Sequence, residues 1–255
     1  MASGLKSLES IVAMAELEIR RISHDPIELI TRAIQPIFWI AIFGSVMAKV
    51  RAFPSTGDYI TFISPGVILQ SSTFISLSYG IMLVFERESG VLKRLLSSPM
   101  PRSFIVIGRS LAGGLRASTQ YIIVLLAAVA VGAKISSDPI KLILGYLILV
   151  IACIGFTALS ILIASGLKTR ERFMGIIGAI TMPLFFASNA LYPIEVMPRA
   201  IQLIAEVNPL TYTVNALRTL LVEGSYMIGY DFIAILIFDL LSIAVALKLL
   251  HRIVE

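Results

Sequence analysis

Charge is scarce in this chain, and so are the residues that do chemistry. Only 15% of its 255 positions are Asp, Glu, Lys or Arg, against about 25% in soluble domains. The single cysteine, Cys153, has no partner for an internal disulfide, so it says nothing about redox compartment. The two histidines, His24 and His251, stand near opposite ends of the chain. That excludes a plausible Ser-His-Asp set and leaves no His, Cys and carboxylate cluster at metal-ligand spacing. A Walker-type loop needs Gly-x-x-x-x-Gly-Lys-Ser/Thr, so that backbone amides cradle phosphates. The nearest string, Ser165-Gly166-Leu167-Lys168-Thr169, lacks the Gly-Lys step and the upstream glycine. The net charge is +5, but no basic stripe interleaves with aromatics, so nucleic acid is not an expected partner. No catalytic, cofactor-binding or metal-binding residue is expected. The first 30 residues mix both charge signs and lack a short apolar stretch before a small-residue cleavage site, so no cleavable signal peptide is expected either.

What is abundant is apolar length. Hydrophobic residues make up 57% of the chain and the mean hydropathy is +0.91. A helix crossing a bilayer needs about 20 mostly apolar residues. Six segments meet that length, at 27–48, 59–85, 113–133, 142–166, 173–191 and 232–250. The expected fold class is an all-α membrane protein of six transmembrane helices, a single domain over 1–255. Of the 21 Lys and Arg, fifteen fall on the side that holds both termini and the connections after spans two and four. The positive-inside rule then places both termini in the cytoplasm.

Three stretches between the runs carry their own patterns. Over 1–25, Leu5, Leu8, Val12, Ala15, Ile19 and Ile22 recur at helical spacing, which predicts an amphipathic helix lying in the interface. Residues 86–99 mix charge with Val91, Leu92, Leu95 and Leu96 and end at Pro99, the pattern of a short helix presented to a cytoplasmic partner. The external stretch 191–229 is too apolar for a floppy loop, which predicts one or two short helices broken at Pro209 and dipping back toward the membrane.

Polar residues inside the runs are costly in lipid. Span two holds Gln70, Ser71, Ser72, Thr73, Ser76 and Ser78. Helix packing accounts for some of these, and a substrate pathway along Gln70, Ser72, Thr73 and Ser76 is the functional expectation. Phe185, Phe186 and Asn189 at the outer end of span five extend it. Asp239 lies inside span six, either as a cation or proton site or as a carboxylate paired to a neighbouring helix. Arg109 and Arg116 are expected to snorkel toward the cytoplasm, and Gly175, Gly178 and Ala179 to make close helix contacts.

The strings Glu86-Arg87-Glu88-Ser89-Gly90-Val91-Leu92-Lys93-Arg94-Leu95-Leu96-Ser97-Ser98-Pro99 and Asn208-Pro209-Leu210-Thr211-Tyr212-Thr213-Val214-Asn215-Ala216-Leu217-Arg218 resemble an ABC-2 type transporter permease, on the daunorubicin-resistance and nodulation-export side of that family. The resemblance extends over the chain, with one mild departure at Val91, where relatives often carry Thr. It implies a dimer of permease copies in a prokaryotic plasma membrane, working with a separate ABC ATPase subunit that holds the ATP and magnesium. It implies that 86–98 is the coupling helix, with Glu86, Arg87, Glu88, Gly90, Leu92, Lys93, Arg94, Leu95 and Leu96 facing that ATPase. The cargo class it suggests is a lipophilic drug-like molecule or a lipid-linked oligosaccharide. Asn208, Pro209, Tyr212 and Arg218 are the expected outer gate. Two other classes compete: a secondary transporter driven by an ion gradient, which needs more intramembrane charge than Asp239, and a non-transporting assembly subunit.

Overall fold

The computed structural model describes residues 26–91 and 102–250, together with Glu16 and Arg20. Every described element is helical. Helix α1 (Pro26–Phe38) passes through a π-helical turn (Trp39–Gly44) into α2 (Ser45–Val50). Pro36 withdraws a backbone donor just ahead of that turn. Next come α3 (Tyr59–Ser78), α4 (Ile81–Glu88), α5 (Arg102–Val131), α6 (Pro139–Ser165) and α7 (Arg170–Phe186). The chain ends in α8 (Arg199–Val207), α9 (Pro209–Leu221) and α10 (Gly229–Leu250).

Among the described residues, five helical stretches are long and apolar enough to cross a membrane: Thr31–Val50, Tyr59–Glu88, Val106–Val131, Pro139–Ser165 and Gly229–Leu249. The run expected at 173–191 is the exception. It forms α7, which has 17 residues and stops at Phe186, three residues after Pro183. At 1.5 Å per residue this is about 25 Å, short of a hydrocarbon core of about 30 Å. Its two ends nonetheless lie at opposite ends of the bundle. Arg170 pairs with Glu88 at one end. At the other, beyond the turns that follow α7, the carbonyl of Leu191 accepts from Tyr59 Oη at 2.8 Å.

The third run also begins earlier than its apolar residues do. Its charged lead-in is part of α5, one helix of 30 residues. The second span is interrupted at Tyr79–Gly80, where α3 gives way to α4. Ser160 of α6 staples the break: its hydroxyl accepts from Gly80 N at 2.9 Å and donates to the carbonyl of Leu77. Of the amphipathic helix expected at 1–25, Glu16 and Arg20 are helical and joined by an ion pair of 2.7 Å. The rest of that helix, like 92–99 of the coupling segment, lies outside the described residues.

Helix α6 is the centre, packed against α3, α4, α5, α7, α9 and α10. Lipid offers no hydrophobic drive between helices, so close backbone approach and hydrogen bonds must hold them. Gly113 and Gly114 of α5 seat on Thr157 and Ile154, where a Cβ would collide. Tyr121 Oη donates to the Leu142 carbonyl at 2.9 Å. The outward faces of the helices, α6 included, are apolar, with Ile122, Leu126, Ile143, Leu147, Leu240 and Leu241 all exposed. Side chains of this kind suit acyl chains rather than water.

Candidate functional site

The first cluster surrounds the start of the coupling segment. Helix α4 carries Glu86, Arg87 and Glu88 at its last turn, and each reaches a different neighbour. Glu86 forms a partly buried ion pair with Arg109 of α5. Arg87 Nη1 donates to the carbonyls of Ser165 at 3.0 Å and Leu167 at 3.2 Å, closing the C-terminal end of α6. Glu88 accepts from the backbone N of Arg170 at 3.3 Å and pairs with its guanidinium at 2.6 Å. A carboxylate at the first turn of α7 also answers the positive end of that helix. The Arg170 guanidinium stacks over the Phe85 ring, 4.6 Å from its centre. The three charges thus tie α4 to α5, α6 and α7. Two residues on is Gly90, with φ of +73° and open space around its Cα. A side chain on that left-handed backbone is strained, and it would touch nothing among the described residues. Leu92, Lys93, Arg94, Leu95 and Leu96 lie outside the described residues.

The second cluster lies at the other end, where two of the four expected gate residues, Asn208 and Arg218, reach the end of α7 and the turn after it. Asn208 caps α9: its Oδ1 accepts from Leu210 N at 3.0 Å, and Pro209 occupies the first helical position, where a missing N–H costs nothing. The same side chain turns its Nδ2 to the carbonyls of Leu184 at 2.7 Å and Ala187 at 3.0 Å, which satisfies the end of α7. Tyr212 donates to the Glu206 carbonyl and packs edge-on against Tyr230. Arg218 Nη2 donates to the carbonyls of Asn189 at 2.9 Å and Phe62 at 3.4 Å. Its guanidinium stands 3.9 Å from the centre of the Phe62 ring, a cation–π contact. Asn189 donates to Asn215, and Asn215 donates in turn to Asp231 of α10 at 3.4 Å. Helix α9 stays at this end throughout: it starts beside Leu184 and finishes where the Leu221 carbonyl accepts from Ser136 N at 2.7 Å. Its buried face meets α3, α6 and α10.

Between the two ends lie the span-two polar residues. Ser72, Thr73 and Ser76 are buried between helices, and their hydroxyls have no hydrogen-bond partner among the described residues. Gln70 is also buried but opens on a small cleft toward α1. Phe185 is buried against Trp39, whereas Phe186 is exposed. Asp239 packs where a Cβ on Gly155 would collide with its carboxyl, and its Oδ1 has no partner among the described residues. Among the described residues, Gly175 and Gly178 make no close helix contact; nothing lies within 4 Å of a Cβ built on either.

Sequence reasoning did not find Arg109, Arg170 or Asn215. Arg170 counted only toward membrane orientation and Arg109 only toward orientation and snorkelling, since nothing along the chain pairs residues 23 and 82 positions apart. Asn215 stood inside the second motif without a role. Tyr59 and Phe62, which hold the outer turn to α3, carried no signal beyond being aromatic at a span end.

The sequence comparisons agree with this architecture. The family model described as ABC-2 type transporter matches residues 9–222. The transport permease ycf38 of Cyanophora paradoxa is 31% identical over 251 residues, covering 91% of this chain and 86% of its own length. The ycf38 permease of Porphyra purpurea is 30% identical, covering 84% of this chain and 73% of its own. The daunorubicin resistance ABC transporter permease protein DrrB1 of Streptomyces coeruleorubidus is 28% identical, covering 78% of this chain and 70% of its own. A bundle of long apolar helices without a nucleotide loop, matched by that family over most of its length, belongs to the ABC-2 type transporters as a membrane permease.

Proposed function

We propose that this chain is the transmembrane subunit of an ATP-driven exporter that moves a lipophilic or lipid-linked molecule out of the cytoplasm. Two copies form the pathway, and a separate ABC ATPase supplies the work. The observation that carries the reading is the triple tie at the end of α4. A load applied to the segment beyond Gly90 reaches α5, α6 and α7 together, through Glu86, Arg87 and Glu88. Closure of the ATPase pair would shift the balance between inward-open and outward-open arrangements through that joint. Residues 86–98, with Leu92, Lys93, Arg94, Leu95 and Leu96 as the docking face, are the coupling element. Residues 86–88 act as its anchor.

In this reading six segments cross the membrane, α7 included, with both termini in the cytoplasm of a prokaryotic cell. Helix α9 is the outer re-entrant element, and Asn208, Pro209, Tyr212 and Arg218 form the outer gate. The unpartnered hydroxyls of Ser72, Thr73 and Ser76 mark the seam along which the bundle would hydrate on opening, because an unsatisfied buried hydroxyl gains when water reaches it. The open face of α7 at Gly175 and Gly178, beside Phe186, suits close approach by a second copy. ATP and magnesium belong to the partner.

Co-purification with an ABC ATPase from the same source tests this. Gly90→Val and Leu95→Asp are expected to lose the ATPase or its coupled transport while the permease stays in the membrane. Reversal at Glu86, Arg87 and Glu88 is expected to leave docking and disable coupling. An intact, transport-competent complex in all of these variants sinks the assignment of 86–98. Transport by the purified permease without ATP would favour the ion-gradient class.

A further inference from the structure

We infer that Asp239 is the counter-charge for the ammonium group of a lipophilic cation, received where α10 packs on α6. Asp239 stands about 15 Å along α10 from its start at Gly229, near the middle of a hydrocarbon core of about 30 Å. It is only 6% exposed, and its Oδ1 has no hydrogen-bond partner among the described residues. The ion pairs formed there by Arg20, Arg109, Lys141 and Arg170 all go to other carboxylates. Along its own helix the nearest charges are Asp231 and Lys248, about 12 and 14 Å away. Helix α9 also packs against α10, but its Arg218 is taken up by Asn189 and the Phe62 ring. A carboxylate at this depth needs a positive partner, and the described residues supply none.

Three features select the occupant. The first is sign: an unpaired carboxylate calls for a cation. The second is the seat. The carboxyl lies in the hollow left by Gly155 of α6, where a Cβ would collide with it, and Phe238 Cε1 is 3.0 Å from the same point. The Phe238 ring centre lies 4.9 Å from that of the fully buried Phe156. A hard metal ion requires several oxygen ligands, whereas aromatic faces attract weakly hydrated organic cations. The third is the surround. Leu236, Ile237, Leu240 and Leu241 of the same helix are exposed, so an apolar body can stay among acyl chains while its ammonium enters as α6 and α10 part. The exporter reading bears only on whether the cation is cargo; the site itself stands on the unpaired carboxylate and its aromatic seat.

The test uses the full chain in discs of zwitterionic lipid, with a spin-labelled long-chain alkylammonium and the spin-labelled alcohol of the same chain as probes. The expected result is a motionally restricted population that prefers the ammonium. Asp239→Asn keeps the shape and removes the charge, so the fold should hold and the preference should fall about tenfold, the loss of a charge-assisted bond. Gly155→Ala keeps the charge but fills the hollow that seats it, and should reduce the preference severalfold. Equal retention of the two probes by the unaltered protein means that a proton alone satisfies the carboxyl, and overturns the site. An unchanged preference in Asp239→Asn overturns it too, as does displacement of the ammonium probe by sodium or calcium. Stimulation of the ATPase in the assembled complex then sorts the occupants. Stimulation by the alkylammonium that Asp239→Asn abolishes assigns cargo, and binding without stimulation assigns a resident cation; the site stands in either case. If no ATPase co-purifies, the exporter reading fails while the binding measurement on the permease remains readable.

Discussion

At Gly66 a single added methyl group meets backbone, because a Cβ there would collide with the carbonyl, Cα and carbonyl carbon of Ala190. Neither partner is the loose end of a side chain, so the turn after α7 must shift. Gly66→Ala is expected to cost about 1–3 kcal/mol, as overpacked sites do, read as a lower unfolding temperature in detergent. Asn208 offers a graded case. Asn208→Ala removes both the cap of α9 and the two bonds that close α7. Asn208→Ser restores a capping oxygen but no amide donor, so it should recover about 1 kcal/mol of the loss. Equal stability of the two variants would mean that the cap contributes nothing. The pairing of Asn208 with Pro209 announces a helix start in the sequence. That the same amide also seals a helix 21 to 24 residues earlier depends on where the turn brings α7.

Among the elements, the start of α6 is set by Asp138, whose Oδ1 accepts from Ile140 N at 3.0 Å. That bond, the Tyr226 hydroxyl and the nearby Lys141 hold its carboxyl below the usual carboxylate range. A depressed value means stability that is present above the unfolded value of about 3.9 and is lost as pH falls through the folded value. Hydrogen exchange at residues 140–142 should therefore accelerate on acidification. Asp138→Asn should keep the cap and flatten that pH dependence. At the other end, the ties from α4 are separable. The Glu88–Arg170 pair is largely solvent-facing, with side chains 30% and 48% exposed, and such pairs contribute little to stability. The Glu86–Arg109 pair is more enclosed, at 21% and 13%. A double-mutant cycle with Glu86→Gln and Arg109→Gln is expected to give a coupling of about 0.5–3 kcal/mol. The cycle at Glu88 and Arg170 should fall near the bottom of that range.

For the whole molecule, the prediction is topological. Cys153 is buried, so labelling scans can begin from the native chain without removing it. Ser89→Cys and Ser136→Cys should react with a membrane-impermeant reagent from opposite sides of sealed vesicles. Ser225→Cys should react from the same side as Ser136→Cys. If Ser225→Cys instead sides with Ser89→Cys, α7 does not complete its passage, and the six-span arrangement is wrong.

The sequence by itself determined the class of molecule. Apolar runs of bilayer length, an uneven spread of Lys and Arg, and the absence of a nucleotide loop follow from composition and local order, which no packing can alter. Two motifs supplied the family, and the Asn208–Pro209 pair supplied a helix start. Tertiary structure decided the rest. The run at 173–191 had the length of a span, yet α7, which begins at Arg170, stops at Phe186, three residues after Pro183. Gly175 and Gly178 looked like packing positions and face open space, because small residues at helical spacing do not say which helix they meet. The charges of 86–88 read as a surface offered to a partner. Within the chain they also meet Arg109, Ser165 and Arg170. Such pairings join residues remote in sequence, and only the fold brings them within hydrogen-bonding reach.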